Sequence, residues 1–414
     1  MSRSNFILLK NCHLLDTRAG TILPDHDILV EGSRIKEVSD QPLKAEGALV
    51  LDLAGRTLMP GLADAHVHVT AVEADFAKLE KLPPSYITAR TAGVLRDMLY
   101  RGFTTVRDAG GADWGLALAV QEGYLLGPRI LYSGPALSQT GGHGDTRPRG
   151  DDNYPGRPVS LGTLGRLCDG VNEVRRAARE EIRKGATQIK IMASGGVASP
   201  NDPIAYTQFS LEEIKASVEE AEAACTYVMA HAYTSRAIKR CLEGGVRSIE
   251  HGNLIDLDSI ELLLRQKAFL VPTLVTFEML TREGKEAGFS PELLGKVTEL
   301  HKNGLAALET AYGRGARIAF GTDLIGSMHR HQSLEFSLRG QVQTPADVIR
   351  SATLTCAELF NLTGEIGIIA PGARADILVV EGNPLEDLNL LQEQGRHLQV
   401  IMKKGQFVVN RLGQ

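Results

Sequence analysis

The sequence is poor in features that mark whole classes of protein. It holds only 5 cysteines in 414 residues (Cys12, Cys168, Cys225, Cys241 and Cys356), and no two of them form a CxxC pair. An odd, scattered set of this kind excludes a disulfide framework and a thiolate zinc site. There is no excess of basic charge: 45 Lys+Arg stand against 50 Asp+Glu, for a formal net charge of −5. A nucleic-acid binder that works through a basic stripe is thereby excluded. No apolar stretch approaches the about 20 residues a membrane helix needs, and the run Phe6–Leu9 is too short for the core of a secretory signal. The expected compartment is therefore the cytoplasm, with no membrane and no nucleic-acid partner. Proline is limited to 17 residues, and 43 % of the chain is hydrophobic, so disorder and collagen-like repeats are excluded as well.

What is present is a core-forming chain with two textures. Both ends carry short β-rich runs separated by turn residues: Phe6–Leu9, Asp27–Val30, Ile35–Val38 and Leu49–Leu53 at one end, Ala375–Val380, His397–Met402 and Gln406–Val409 at the other. They suggest one small β-sandwich domain built from residues 1–60 and 365–414, since chain termini often lie close together. Between them, apolar runs alternate with helical stretches such as Leu211–Ala224 and Pro291–Tyr312, the pattern of βαβ units. Eight strands are expected: Leu62–Val67, Thr104–Arg107, Arg129–Ser133, Gln188–Met192, Tyr227–Ala230, Val246–Glu250, Phe269–Pro272 and Arg317–Gly321. Eight such units close a (β/α)8 TIM barrel, here spanning 61–364, and the fold class is α/β. The stretch from Ser138 to Gly170 has no periodicity and reads as a long functional loop.

Chemistry-bearing residues fall at the ends of these strands. His66 and His68 flank Val67 at the end of the first, and period-two alternation turns both imidazoles to one face. Neutral imidazoles side by side suit a borderline divalent metal, although an HxH pair also occurs on ordinary surfaces. Lys190 sits inside an apolar strand, where an ammonium is costly and the amine deprotonates readily. His231, His251 and Asp323 end the fifth, sixth and eighth strands, on the rim where barrel enzymes keep their active sites. Six nitrogen and oxygen donors converging on one rim indicate a metal centre.

The pattern Asp52-x-x-Gly55-x-x-x-x-Pro60-Gly61-x-x-Asp64-x-His66-x-His68, with Lys190, His231, His251 and Asp323, resembles the amidohydrolase superfamily. The segments Gln188–Pro200, His231–Thr234, Ile249–Asp256 and Val271–Thr276 resemble its metal-dependent prolidase and imidazolonepropionase-like branch. The likeness covers essentially the whole chain. It implies that His66, His68 and Asp323 hold one divalent ion, that His231 and His251 hold a second, and that Lys190, carboxylated by carbon dioxide, bridges the two. Zinc is the expected ion, although imidazole and carboxylate donors also suit manganese or cobalt. Two ions sharing a hydroxide make it a nucleophile at neutral pH, and Asp323 would carry its proton to the leaving amine. The resemblance further assigns His143, in the loop after the third strand, to the substrate carbonyl and its oxyanion, and Tyr233 to a substrate carboxylate.

The loop Asp145–Gly165 departs from the family pattern. It contains Arg147, Arg149 and Arg157, any of which could fork onto a carboxylate. The resulting expectation is a homo-oligomeric dipeptidase that cleaves Xaa-Pro dipeptides. A second reading keeps the chemistry with other dipeptides or N-acyl amino acids, including ochratoxin-like aryl amides. A non-catalytic scaffold would have lost ligands, none of which is missing, and a deaminase of the superfamily usually lacks the lysine present here as Lys190.

Overall fold

The computed structural model describes residues 6–151, 161–199 and 201–412. Arg157 of the long loop lies outside them. The chain divides into two compact units, one made of Met1–Asp64, Asp97–Thr105 and Phe336–Gln414, the other of Ala65–Arg96 and Val106–Glu335.

The first unit carries an eight-stranded sheet drawn from both chain ends. Its order is Gln406–Asn410, Leu398–Lys403, Ile377–Val380, Thr57–Pro60, Phe6–Asp16, Thr21–Glu31 and Arg34–Ser39, with Leu49–Asp52 paired to Phe6–Asp16. One core of Leu9, Ile28, Val30, Leu58, Ile377, Val379, Val400 and Met402 lies against it. Every terminal strand expected from sequence is present. Thr57–Pro60 was not expected; it pairs antiparallel with Ile377–Val380, and Pro60 takes only its last position, where a missing N–H costs least.

All eight strands expected in the middle of the chain form. Leu62–Val67, Phe103–Asp108 and Arg129–Tyr132 make one three-stranded sheet. A second, seven-stranded sheet runs Gly165–Leu167, Ala136–Ser138, Ile189–Met192, Val228–Thr234, Ser248–Leu254, Phe269–Val271 and Arg317–Ile318, each neighbour parallel to the next. Strands buried on both faces read as continuous apolar runs, which is why they were legible. Backbone hydrogen bonds reach beyond the sheets: Ala65 N–H donates to Phe320 O at 2.7 Å and Thr187 N–H to Tyr132 O at 2.9 Å. The fold is thus mixed α/β with parallel strands. The stretch from Ser138 to Gly170 is not all loop, because Gly165–Leu167 pairs with Ala136–Ser138. Three residues, one of them glycine, are too few to give a period. No helix among the described residues is long and apolar enough to cross a membrane.

Candidate active site

Five of the six candidate ligands sit in or directly after a buried strand, His231 and His251 at mid-strand because their strands run on past the expected ends to Thr234 and Leu254, while Asp323 lies five residues beyond Arg317–Ile318. His66 is the fifth residue of Leu62–Val67 and His68 follows it; Lys190 lies within Ile189–Met192, His231 within Val228–Thr234 and His251 within Ser248–Leu254. All are buried, Lys190 to 2 % exposure. Together with Asp323, His143 and Tyr233 they line a single cavity.

Asp323 is the hub. Its Oδ1 lies 3.4 Å from His66 Nε2 and 3.2 Å from His68 Nε2, and its Oδ2 lies 4.0 Å from His251 Nδ1. Donor atoms of His66, His251 and Asp323 fall within 4.8 Å of one another, the spacing of a metal-binding group. The rings of His66 and His251 are 4.9 Å apart and those of His231 and His251 4.8 Å, so the imidazoles form one continuous cluster. His231 Nε2 lies 3.2 Å from Gly195 O, which faces it toward the loop after Lys190. Both His251 (φ 72°) and Asp323 (φ 53°) adopt left-handed backbone, uncommon outside glycine and a mark of functional strain.

Electrostatics keep the donors ready for a cation. Burial, with Lys190 beside it, holds His66 well below the usual histidine range, and burial with neighbouring imidazoles does the same for His231 and His251. Burial opposes charge on His68, but its bond to Asp323 outweighs burial and raises it. Burial would also raise Asp323, yet the facing histidines hold it below the ordinary carboxylate range. Lys190 is brought down to about 8, chiefly by burial. Burial raises the Tyr233 hydroxyl well above its usual value, so it remains a phenol.

Behind this cluster stand residues that sequence reasoning missed. Glu250 accepts from His66 Nδ1 at 2.7 Å and from Arg107 at 2.9 Å, and it also meets Ser248 Oγ; Arg107 and Glu250 are both fully buried. His68 Nδ1 donates to Gly110 O at 2.9 Å, and His251 Nδ1 lies 2.8 Å from Thr273 Oγ1. Strand alternation would send Glu250 and His251 to opposite faces, but the left-handed turn at His251 lets Glu250 reach His66 while His251 faces Asp323. The Arg107–Glu250 pair joins residues far apart in sequence, which no local motif signals.

Of the loop arginines among the described residues, neither Arg147 nor Arg149 lines the cavity. Arg147 forks onto Asp145, with Nε at 2.8 Å and Nη2 at 2.6 Å from its oxygens, and Arg149 is exposed. Much of the remaining wall is apolar, with Phe76, Leu164, Val197, Leu280, Phe289 and Ile325, and Thr146 and Thr276 add two hydroxyls.

Known proteins of this architecture share the chain at length. An ochratoxinase from Aspergillus niger is 36 % identical over 352 residues, covering 81 % of this chain and 72 % of the relative. A solved prolidase complexed with N-methylphosphonate-L-proline is 49 % identical with a TM-score of 0.96, covering 98 % of this chain and 100 % of that one. A Xaa-Pro dipeptidase with methionine in its active site is 29 % identical with a TM-score of 0.89, again over 98 % and 100 % of the two chains. Residues 57–408 match the amidohydrolase family, and the chain belongs to it as a hydrolase of amide or peptide bonds.

Proposed function

We propose that this protein is a dinuclear metal-dependent dipeptidase that hydrolyses Xaa-Pro dipeptides. The observation that carries the reading is the convergence of four buried imidazoles, Lys190 and Asp323 on one cavity that His143 and Tyr233 also line. The donor set fits divalent cations: three of the histidines are held uncharged and buried, and Asp323, partly open to the cavity, is held below the ordinary carboxylate range. In this reading His66, His68 and Asp323 would hold one ion, His231 and His251 would hold the other, and Lys190, as a carbamate, would supply oxygen donors to the pair. The carbamate forms when the neutral Nζ attacks carbon dioxide and releases one proton. Zinc is the preferred assignment, and such ions, when bound, lower the pKa of water and polarise a carbonyl.

The chain's own residues do the rest. Asp323 Oδ takes the proton of the attacking water and returns it to the amine nitrogen, which cannot leave as an anion. His143 faces the scissile carbonyl. The Tyr233 hydroxyl donates to the carboxylate of the C-terminal proline, a role supported by its burial beside His231, ring to ring at 4.5 Å. The strands expected over 61–364 would close as a (β/α)8 barrel, with 1–60 and 365–414 forming a small β-sandwich. The bonds from Ala65 to Phe320 and from Thr187 to Tyr132 support closure.

The likeness to ochratoxinase and the apolar wall favour a second reading, in which N-acyl aromatic amino acids are cleaved by the same machinery. A panel of Xaa-Pro dipeptides, Xaa-Pro amides and N-acyl aromatic amino acids separates the two. Cleavage of free Xaa-Pro acids with rejection of the amides is expected, because a site built around a carboxylate leaves its donors unpaired on an amide. Cleavage of N-acyl aromatic amino acids alone moves the assignment to the second reading, and equal cleavage of acid and amide removes the carboxylate anchor.

A further inference from the structure

The loop that follows Lys190 is built around His143. Its Nδ1 lies 2.6 Å from Ser199 Oγ and 3.6 Å from Asp202 Oδ2, and Nε2 has no hydrogen-bond partner among the described residues. The backbone of His143 is tied into the same set, its N–H donating to Gln208 Oε1 at 2.9 Å while Gln208 Nε2 donates to Asp202 Oδ2 at 3.2 Å. Asp202 is 1 % exposed and also accepts from Gly196 N–H at 2.9 Å. Burial would push its carboxyl up, but His143 and the Gly196 N–H hold it below the usual range. The imidazole lies against the Gly196 backbone so closely that a Cβ there would overlap the ring.

The loop is itself fastened from outside. Lys296, on the helix Pro291–Gly313, donates from Nζ to three backbone carbonyls: Gly196 O at 3.1 Å, Ser199 O at 3.2 Å and Asp202 O at 3.1 Å. An ammonium has three protons, so this arrangement uses each of them on the segment that carries both partners of His143. A carboxylate and a hydroxyl on one edge of an imidazole fix how the ring sits and which nitrogen faces away from them, and a backbone staple fixes the carboxylate in turn.

We propose that Asp202 and Ser199, held by Lys296, are positioning residues that fix the His143 ring with Nδ1 turned away from the substrate and Nε2 presented to it as the N–H donor that meets the carbonyl oxygen. The inference rests on the proposed role of His143 at the substrate carbonyl. Among the described residues the side chains of Asp202, Ser199 and Lys296 make no hydrogen bond to a candidate metal ligand; the segment meets that cluster through the His143 ring, 4.4 Å from the His231 ring, and through Gly195 O, 3.2 Å from His231 Nε2, so metal content is measured beside the kinetics.

The test uses the full-length, zinc-loaded protein and the variants Asp202→Asn, Ser199→Ala and Lys296→Met, each also combined with His143→Ala. Three quantities are read: metal per chain, kcat and KM on a cleaved Xaa-Pro dipeptide, and the imidazole resonances of ¹⁵N-histidine-labelled protein, with His143 assigned by its loss in His143→Ala. We expect unchanged metal content, a fall in kcat of roughly 10- to 100-fold, the scale of a misplaced catalytic group, and displacement of the His143 ring resonances. In the His143→Ala background the same substitutions should cost nothing further. Losses that add in that background, or a His143 signal unmoved in all three variants, overturn the inference. If Asp202→Asn does not fold, Ser199→Ala and Lys296→Met decide. Should the wild type cleave no Xaa-Pro dipeptide, the functional reading fails, while the resonances still decide whether the clamp exists.

Discussion

Replacing Glu250 separates what it does for the fold from what it does for the site. Its carboxylate is fully buried and accepts from His66 Nδ1 at 2.7 Å and from Arg107 Nη2 at 2.9 Å, and Arg107 is fully buried too. Glu250→Ala strands a guanidinium in the interior. Breaking a buried pair from one side costs about 3–5 kcal/mol, because the remaining charge is left uncompensated. Glu250→Gln keeps the volume and an acceptor oxygen but loses the charge, so it forfeits the difference between a charged and a neutral hydrogen bond, about 1 kcal/mol per bond. It also weakens the orientation and basicity of the His66 imidazole, and groups behind a metal ligand are typically worth about 10- to 100-fold in metal affinity. Urea denaturation of the metal-free chain reads the first effect, and competition with a chelator reads the second. The expected pattern is a large stability loss for Glu250→Ala, a small one for Glu250→Gln, and weakened metal affinity for both. Wild-type metal affinity in Glu250→Gln would refute the argument that this carboxylate orients His66.

Lys190→Ala should bind less metal and lose most activity, and added short-chain carboxylic acids should restore part of it by supplying the missing bridging oxygens; unchanged metal content and turnover would remove the dinuclear reading. Asp323→Asn keeps the shape but cannot accept and return a proton, so kcat should fall by at least about 10²-fold, checked by steady-state kinetics on the best substrate. Asp256 caps the helix Leu257–Arg265, accepting from Ser259 N–H at 2.8 Å. Burial pushes its carboxyl up, but the bonds from Ser259 and Lys239 together outweigh it and bring it down to about 2. A depressed carboxyl contributes stability above its unfolded pKa and loses it as pH falls through the folded one. Asp256→Ala should therefore cost about 1 kcal/mol at neutral pH, and wild type and variant should converge between the ordinary carboxylate range and pH about 2, as followed by urea midpoints.

Sequence made the strand ends legible because buried parallel strands leave unbroken apolar runs, and the polar residue that closes such a run stands out. His231 and His251 were found in this way, and Asp323 by the same rule on the last strand. Arg107 and Glu250 were not, since each looks like an ordinary charge at the end of an expected strand and only the folded chain brings them together. Asp202, Ser199 and Lys296 escaped for a similar reason: the staple links a helix to a loop about a hundred residues earlier through backbone carbonyls, which carry no sequence identity. The arginines of the long loop looked like carboxylate clamps, but Arg147 is already forked onto Asp145, a partner two residues away.

The most direct test of the central claim is elemental analysis of the purified full-length chain, coupled to turnover of an Xaa-Pro dipeptide before and after chelation. The account predicts two divalent ions per chain, activity lost with the ions and regained when zinc is returned. A chain that carries none and still cleaves the dipeptide, or one whose activity is indifferent to their removal, would contradict it.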